Sequence, residues 1–287
     1  MRCATNNSKL NEPDELSISN TVTNHINQLD YVSPTSLSDL GQGLSLISVN
    51  VRSLLANGDR VQELLDKTKP VIAALQETWQ AEKSFEGYQG VYCTRTRKRG
   101  GGVGLLIKNG HNYEVTCKGI TKNLEYIAIK MESEVIISVY MPPTCSPKHA
   151  FEELQSATTI KPKERLTILG DFNINMGLDS FSAPDSSPTE RFHDFCRFNS
   201  LSPCIWKPTR ITKTTATVID NILTSEQTVT ATGIFTAEVA DHLVPSVNKG
   251  NPESKAAKIH RIQSRRGRKH REPQKIAKIS KLDLSTL

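Results

Sequence analysis

Polar side chains stand where the apolar runs of this chain stop. Asn50 follows LISV, Glu77 follows VIAALQ, Tyr140 closes VIISV, and Asp171 and Asn173 follow LTILG. Asp220 lies within TVIDNIL, and Asp241 and His242 follow TAEVA. Any one of these is an ordinary strand-end turn residue. A series is different, because each buried polar group without a partner costs about 1–3 kcal/mol. Strand ends on one rim of a layered fold can bring such groups to a single site. Glu77, with Asp or Asn neighbours, offers hard oxygen ligands suited to Mg²⁺ or Mn²⁺. His242 titrates near neutrality, as an acid/base group must, and Asp220 can hold it in one tautomer. Asn50 and Asn173 can bind phosphate oxygens without charge repulsion, and Tyr140 can donate to a developing oxyanion. One metal, one acid/base pair and several amides describe phosphodiester hydrolysis better than proteolysis.

The elements that must position these groups are legible as short apolar runs. LSLISVNV (44–51) and VIAALQET (71–78) predict buried strands. Between them lies a helix that Asp59 can cap, with Val61, Leu64 and Leu65 on one face and Pro70 at its end. Strand candidates then follow at short spacing over 88–94, 102–108, 112–119, 124–131 and 134–141, which favours antiparallel neighbours. Helices are predicted over 146–160, opened by Pro147, and over 188–201, opened by Pro188. The stretches 165–173, 216–225 and 228–247 supply the last strands. Many strands in two groups with few helices predict an α+β fold, a two-sheet sandwich with helices outside.

Composition narrows the class. Of 287 residues, 37% are apolar, enough for a sizeable core, yet the longest apolar runs are a handful of residues, as over 71–75. A membrane-spanning helix needs roughly 20, so no membrane association is expected. The polar start, without an apolar segment, predicts no secretory signal and an intracellular, nuclear or cytoplasmic, location. Six cysteines without CxxC spacing read as reduced structural thiols rather than a zinc site. The net charge of +6 is uneven. Residues 1–43 carry two basic and five acidic groups, 44–247 carry 22 of each, and 248–287 carry 12 basic against three acidic. The expected organisation is a polar, acidic, disordered leader (1–43), a neutral folded body (44–247) and a basic, disordered tail (248–287) drawn to polyanions through RRGRKHR. Arg95, Arg97, Lys98 and Arg99 precede a glycine cluster that lacks the GK[ST] of a nucleotide loop, so no small organic cofactor is expected. The cluster reads as a hairpin entry, with Arg95 and Arg99 candidates for DNA backbone contacts. Trp79, Trp206 and His193 read as packing residues.

In order, SVNVRS, LQETW, GGGVGLLIK, VYMPP, LGDFN, VIDNIL and ADH resemble the endonuclease/exonuclease/phosphatase superfamily. Within it they are most similar to the apurinic-type endonuclease domain of non-LTR retrotransposons of the jockey and chicken-repeat type. The resemblance spans about 44–247. It implies a deoxyribonuclease-I-like four-layer α/β sandwich, two packed sheets flanked by helices, that nicks DNA with Mg²⁺ or Mn²⁺ and leaves a 3′-hydroxyl. Residue by residue it implies metal binding by Glu77, Asn50 and Asp241. Tyr140 would contact the scissile phosphate, Asp171 and Asn173 would orient water and phosphate, and Asp220 would support His242. Either Thr209 or Thr212 would match a substrate-contacting threonine. One departure stands out: Ala240 replaces the serine of the usual Ser-Asp-His, removing one hydrogen bond. The reverse transcriptase that accompanies such domains is absent from this chain. The alternatives are an inactive relic that only binds nucleic acid, and a host apurinic endonuclease or phosphatase of the same superfamily.

Overall fold

The computed structural model describes Leu37 and residues 43–96, 99–158, 164–176, 187–225 and 229–250. Strand β1 (Gly43–Asn50) leads through helix α1 (Leu54–Thr68) into β2 (Ile72–Gln76), parallel to β1. The helix begins at Leu54, capped by the Ser53 side chain, which accepts from Ala56 N. Asp59 therefore lies inside the helix and pairs with Lys83, rather than capping as the sequence predicts. Leu54, Gly58, Val61 and Leu65, three or four apart, bury one face together with Leu64. Lys69 closes the helix in the left-handed region just before Pro70.

The chain then forms β3 (Tyr88–Cys93), β4 (Val103–Lys108), β5 (Glu114–Ile120), β6 (Glu125–Met131) and β7 (Glu134–Tyr140). Helix α2 (Pro147–Ala157) precedes β8 (Arg165–Asp171), and α3 (Pro188–Phe198) follows it. Short β9 (Ser202–Pro203), β10 (Arg210–Ile211) and β11 (Ala216–Thr217) lead to β12 (Asp220–Thr224), β13 (Val229–Phe235) and β14 (Val244–Gly250). The single strand expected over 216–225 is thus split into β11 and β12.

One six-stranded sheet has the order β13-β14-β1-β2-β4-β3 and the other β5-β6-β7-β8-β12-β9. Period-2 alternation makes each strand two-faced. Leu46, Ile72, Ala74 and Leu105 meet Ile127, Ile136, Leu169 and Ile222 between the sheets. Ile47, Val49, Ala73 and Leu75 pack under α1. Ile137, Val139 and Ile168 pack under α2 and α3, whose Phe151 and Phe195 stack 5.3 Å apart. The layers are helix, sheet, sheet, helix, the expected α+β sandwich.

Both edges of the expected body need correction. Strand β14 continues past 247 to Gly250, burying Asn248 and Lys249. Lys249 Nζ pairs with the equally buried Glu134 and bonds Thr167 Oγ1 at 3.0 Å, so it belongs to the core and not to the basic tail. Upstream, Leu37 is fully buried against the α1 layer, and its carbonyl accepts from Asn248 Nδ2 at 3.1 Å. The rest of the expected leader and tail, including RRGRKHR, lies outside the described residues, as do Arg97 and Lys98. Among the described residues no helix is long and apolar enough to cross a membrane, and the five described cysteines are unbridged.

Candidate active site

The directions of the strands bring the polar residues to one rim. Strands β1, β2, β7 and β8 end there, at Asn50, Gln76, Tyr140 and Asp171. Strand β12 runs antiparallel to β8, so its first residue, Asp220, pairs with Asp171 in register. Tyr140 pairs with Asp171 on the other side. His242 lies in the turn between β13 and β14, held by a bridge to Arg210 and by Leu243 N donating to Thr209 O at 2.7 Å. The rim loops are sharply bent: Arg52, Ser53, Glu77, Trp79, Gln80 and Asn173 all have positive φ. Such conformations persist where surrounding bonds over-determine them. Here Ser53 N donates to Glu77 O at 2.8 Å and Trp79 N to Gly101 O at 2.8 Å.

At the centre, His242 Nδ1 donates to Asp220 at 2.9 Å, with both side chains almost wholly buried. An ionised carboxylate only accepts, so Nδ1 carries the proton and Nε2 faces away from Asp220. Burial pulls the His242 pKa down, but the Asp220 carboxylate, then Asp171 and Asp241, outweigh it and lift the group to about 9. Asp171 is pushed well above the usual carboxylate range by burial and by Asp220. Its Oδ1 accepts from Asn173 N at 2.9 Å and its Oδ2 from Asn50 Nδ2 at 2.9 Å. The same Asn50 Nδ2 reaches Glu77 Oε1 at 3.2 Å, so a single amide spans the two carboxylates. Tyr140 OH donates to Glu77 Oε1 at 3.4 Å and Trp79 Nε1 to Oε2 at 3.1 Å. Ligand atoms of Asp171, Asp220 and His242 all lie within 4.8 Å of one another.

The donor set fits a divalent cation: three carboxylates, of which half-buried Glu77 is the least enclosed. Mg²⁺ is commonly held by one or two carboxylates while keeping several waters. The other two expected ligands, Asn50 and Asp241, carry hydrogen bonds within the rim. Asn50 turns its amide nitrogen toward the carboxylates, while its Oδ1 accepts from Arg52 N at 3.2 Å, so it tethers Glu77 and Asp171. Asp241 pairs with Arg52 Nη1 at 2.9 Å and with Arg210 Nη2 at 3.2 Å.

The substrate candidates also divide. Thr209 is fully buried, and its Oγ1 accepts from Ile219 N and Asp220 N, so it fixes the start of β12 and cannot touch substrate. Thr212 is exposed in the β10–β11 turn and bonds Thr215. Arg95 is committed to the buried Glu125, which also accepts from Gly102 N and thereby pins the glycine loop. Arg99 is exposed and lies 4.7 Å over the Trp79 ring. Trp79, Arg95, Arg99, Lys122 and Asn123 line a cavity of about 960 Å³ that opens beside Glu77 and Tyr140. Asn173 uses its Nδ2 on Met141 O at 2.9 Å. His193 sits on α3, edge-on to Phe192. Arg52 and Arg210 were not singled out from the sequence, although Arg52 stands two residues after Asn50 in the same motif.

The profile of the endonuclease/exonuclease/phosphatase family matches residues 47–242, which takes in this whole rim. The chain belongs to that family. Solved structures of similar fold include the endonuclease domain of TRAS1, a telomere-specific non-LTR retrotransposon, at TM-score 0.60 and 15% identity, covering 73% of this chain and 99% of that one. An AP endonuclease from Archaeoglobus fulgidus gives 0.57 and 16%, covering 72% and 99%. The 3′ phosphatase NExo from Neisseria, bound to a product DNA hairpin, gives 0.55 and 17%, covering 72% and 100%. At these identities the likeness is one of fold. No curated protein matches this endonuclease/exonuclease/phosphatase family chain.

Proposed function

We propose that the protein is a divalent-metal-dependent phosphodiester hydrolase, a retrotransposon-type DNA endonuclease that nicks its target and leaves a 3′-hydroxyl. The observation that carries this reading is the buried Asp220–His242 pair set beside Asp171, one amide away from Glu77. Glu77 would hold the ion, with Asp171 next to it, and the ion would supply charge stabilisation at the phosphate. The chain's own residues do the rest. Asp171, kept basic by burial and by Asp220, accepts the proton of the attacking water as the bond from phosphorus to the 3′-oxygen breaks, and that oxygen becomes the 3′-hydroxyl by taking a proton from solvent. Asp220 fixes His242 so that Nε2 presents a proton to a phosphate oxygen. Tyr140, whose ionisation is suppressed first by burial and then by Glu77, stays a neutral donor. Asn50 keeps Glu77 and Asp171 from drifting apart.

Nicking of supercoiled plasmid in Mg²⁺, with Glu77→Ala as control, tests the reading. Metal-dependent nicking that the substitution abolishes supports it. Binding without cleavage in Mg²⁺ or Mn²⁺ overturns it in favour of a relic that only binds nucleic acid, to which the Ala240 departure points. Cleavage confined to an abasic duplex would favour the repair-type activity named for the Archaeoglobus neighbour.

A further inference from the structure

We propose that Arg52 and Arg210, held side by side on Asp241, form an anchor for a nucleic-acid phosphate adjacent to the one being cleaved. The proposal rests on the reading above for its substrate class but concerns residues outside the hydrolytic group. Arg52 Nη1 meets Asp241 Oδ1 at 2.9 Å, and Arg210 Nε and Nη2 meet Oδ2 at 3.3 and 3.2 Å. Two guanidiniums share one carboxylate, so the cluster carries one net positive charge. Their side chains are 49% and 38% exposed, so solvent and a large ligand reach both.

Stability alone does not account for this arrangement, because exposed pairs contribute roughly 0–1 kcal/mol. The placement is also constrained from both sides of the site. Arg52, at a φ of 41°, donates its N–H to Asn50, the amide between Glu77 and Asp171. Arg210 is bridged to His242. Each guanidinium has five N–H donors, and the contacts to Asp241 use one from Arg52 and two from Arg210. An anion with several oxygens and fork-matching geometry satisfies the remainder, and a phosphate is such an anion. Asp241 accordingly holds the two guanidiniums side by side.

The test uses the full chain in EDTA, with a labelled duplex and fluorescence anisotropy between about 50 and 200 mM salt. Arg52→Gln and Arg210→Gln should each weaken binding and lower the slope of log affinity against log salt by about 1, and the double variant by about 2. Arg52→Lys should keep the slope. All are exposed changes, checked by unchanged circular dichroism. In Mg²⁺ the two Gln variants should raise KM for nicking more than they lower kcat. Unchanged salt slopes in both Gln variants overturn the anchor. A wild type that binds DNA with these slopes but never nicks leaves the anchor standing and removes the endonuclease reading instead.

Discussion

His242 shows how neighbours convert an ordinary side chain into a reactive one. Its ring sits on Asp220 in a buried pair, and its pKa rises to about 9. His242→Ala should lower the nicking rate by about 10²–10⁴, as expected for loss of a positioned acid/base group. The same shift makes a stability statement. A folded pKa above the unfolded value of about 6.5 means the stabilisation is complete below pH 6.5 or so and is lost as pH rises through about 9. The raised Asp171 acts with the same sign. Melting temperature in EDTA should therefore fall from neutrality to above pH 9, and His242→Asn should flatten that fall; parallel profiles would contradict the assignment. Ala240→Ser, restoring one hydroxyl, should raise activity by about tenfold or less, since about 1.4 kcal/mol is one decade. Thr209→Val orphans two buried N–H groups and should cost about 1–3 kcal/mol without changing KM, a split that a substrate contact would not give.

At the level of elements, three rim loops are laced together and their geometry depends on one buried carboxylate. Glu125, at the start of β6, accepts from Gly102 N, in the loop just before β4 of the other sheet, and pairs with Arg95. Gly102 has φ of 87°, and a Cβ there would lie 2.4 Å from Thr78 Oγ1. Gly102→Ala should displace the loop that carries Thr78 and Trp79, and with them Glu77. The expected result is weaker Mn²⁺ binding with the sandwich intact, measured by calorimetry and circular dichroism. Much of this architecture was legible in the sequence, for identifiable reasons. Strand cores such as 44–51 and 134–141 are two-faced apolar runs bounded by turn residues, so their existence and order followed from pattern. The sequence sets the start of helix α1 six residues late, at Asp59, because Ser53 caps from a positive-φ conformation that no propensity indicates. Glu77, His242, Asp171 and Asp220 were legible because a polar group at a strand end is anomalous. The partners of Asp241 and Arg95 were not, because an arginine's acceptor is chosen by tertiary proximity. Thr209 was legible as important, but its role needed the β12 amides.

For the whole molecule, closure of the sandwich depends on its last strand. Lys249 of β14 reaches across to Glu134 and Thr167 in the other sheet. A chain ending at 247 should be less stable than one ending at 250 by about 3 kcal/mol or more, the scale of a buried pair broken on one side. Arg165, 3.0 Å from Glu134, limits the loss. Beyond 250 the sequence carries 11 basic and three acidic residues. Deleting 251–287 should flatten the salt dependence of DNA binding, and an equal slope would show that the tail makes no phosphate contacts. The position of β14 between β13 and β1 has a further consequence during synthesis. Strand β1 acquires β2 early, but its other edge waits for β14, whose residues pair Gly43 with Gly250. At about 5–20 residues per second, that edge stays open on the ribosome for roughly 10–40 s. An unpaired apolar strand edge is a template for another chain. Nascent chains arrested before 244 should therefore recruit chaperones or co-aggregate, and release of the completed strand should end both.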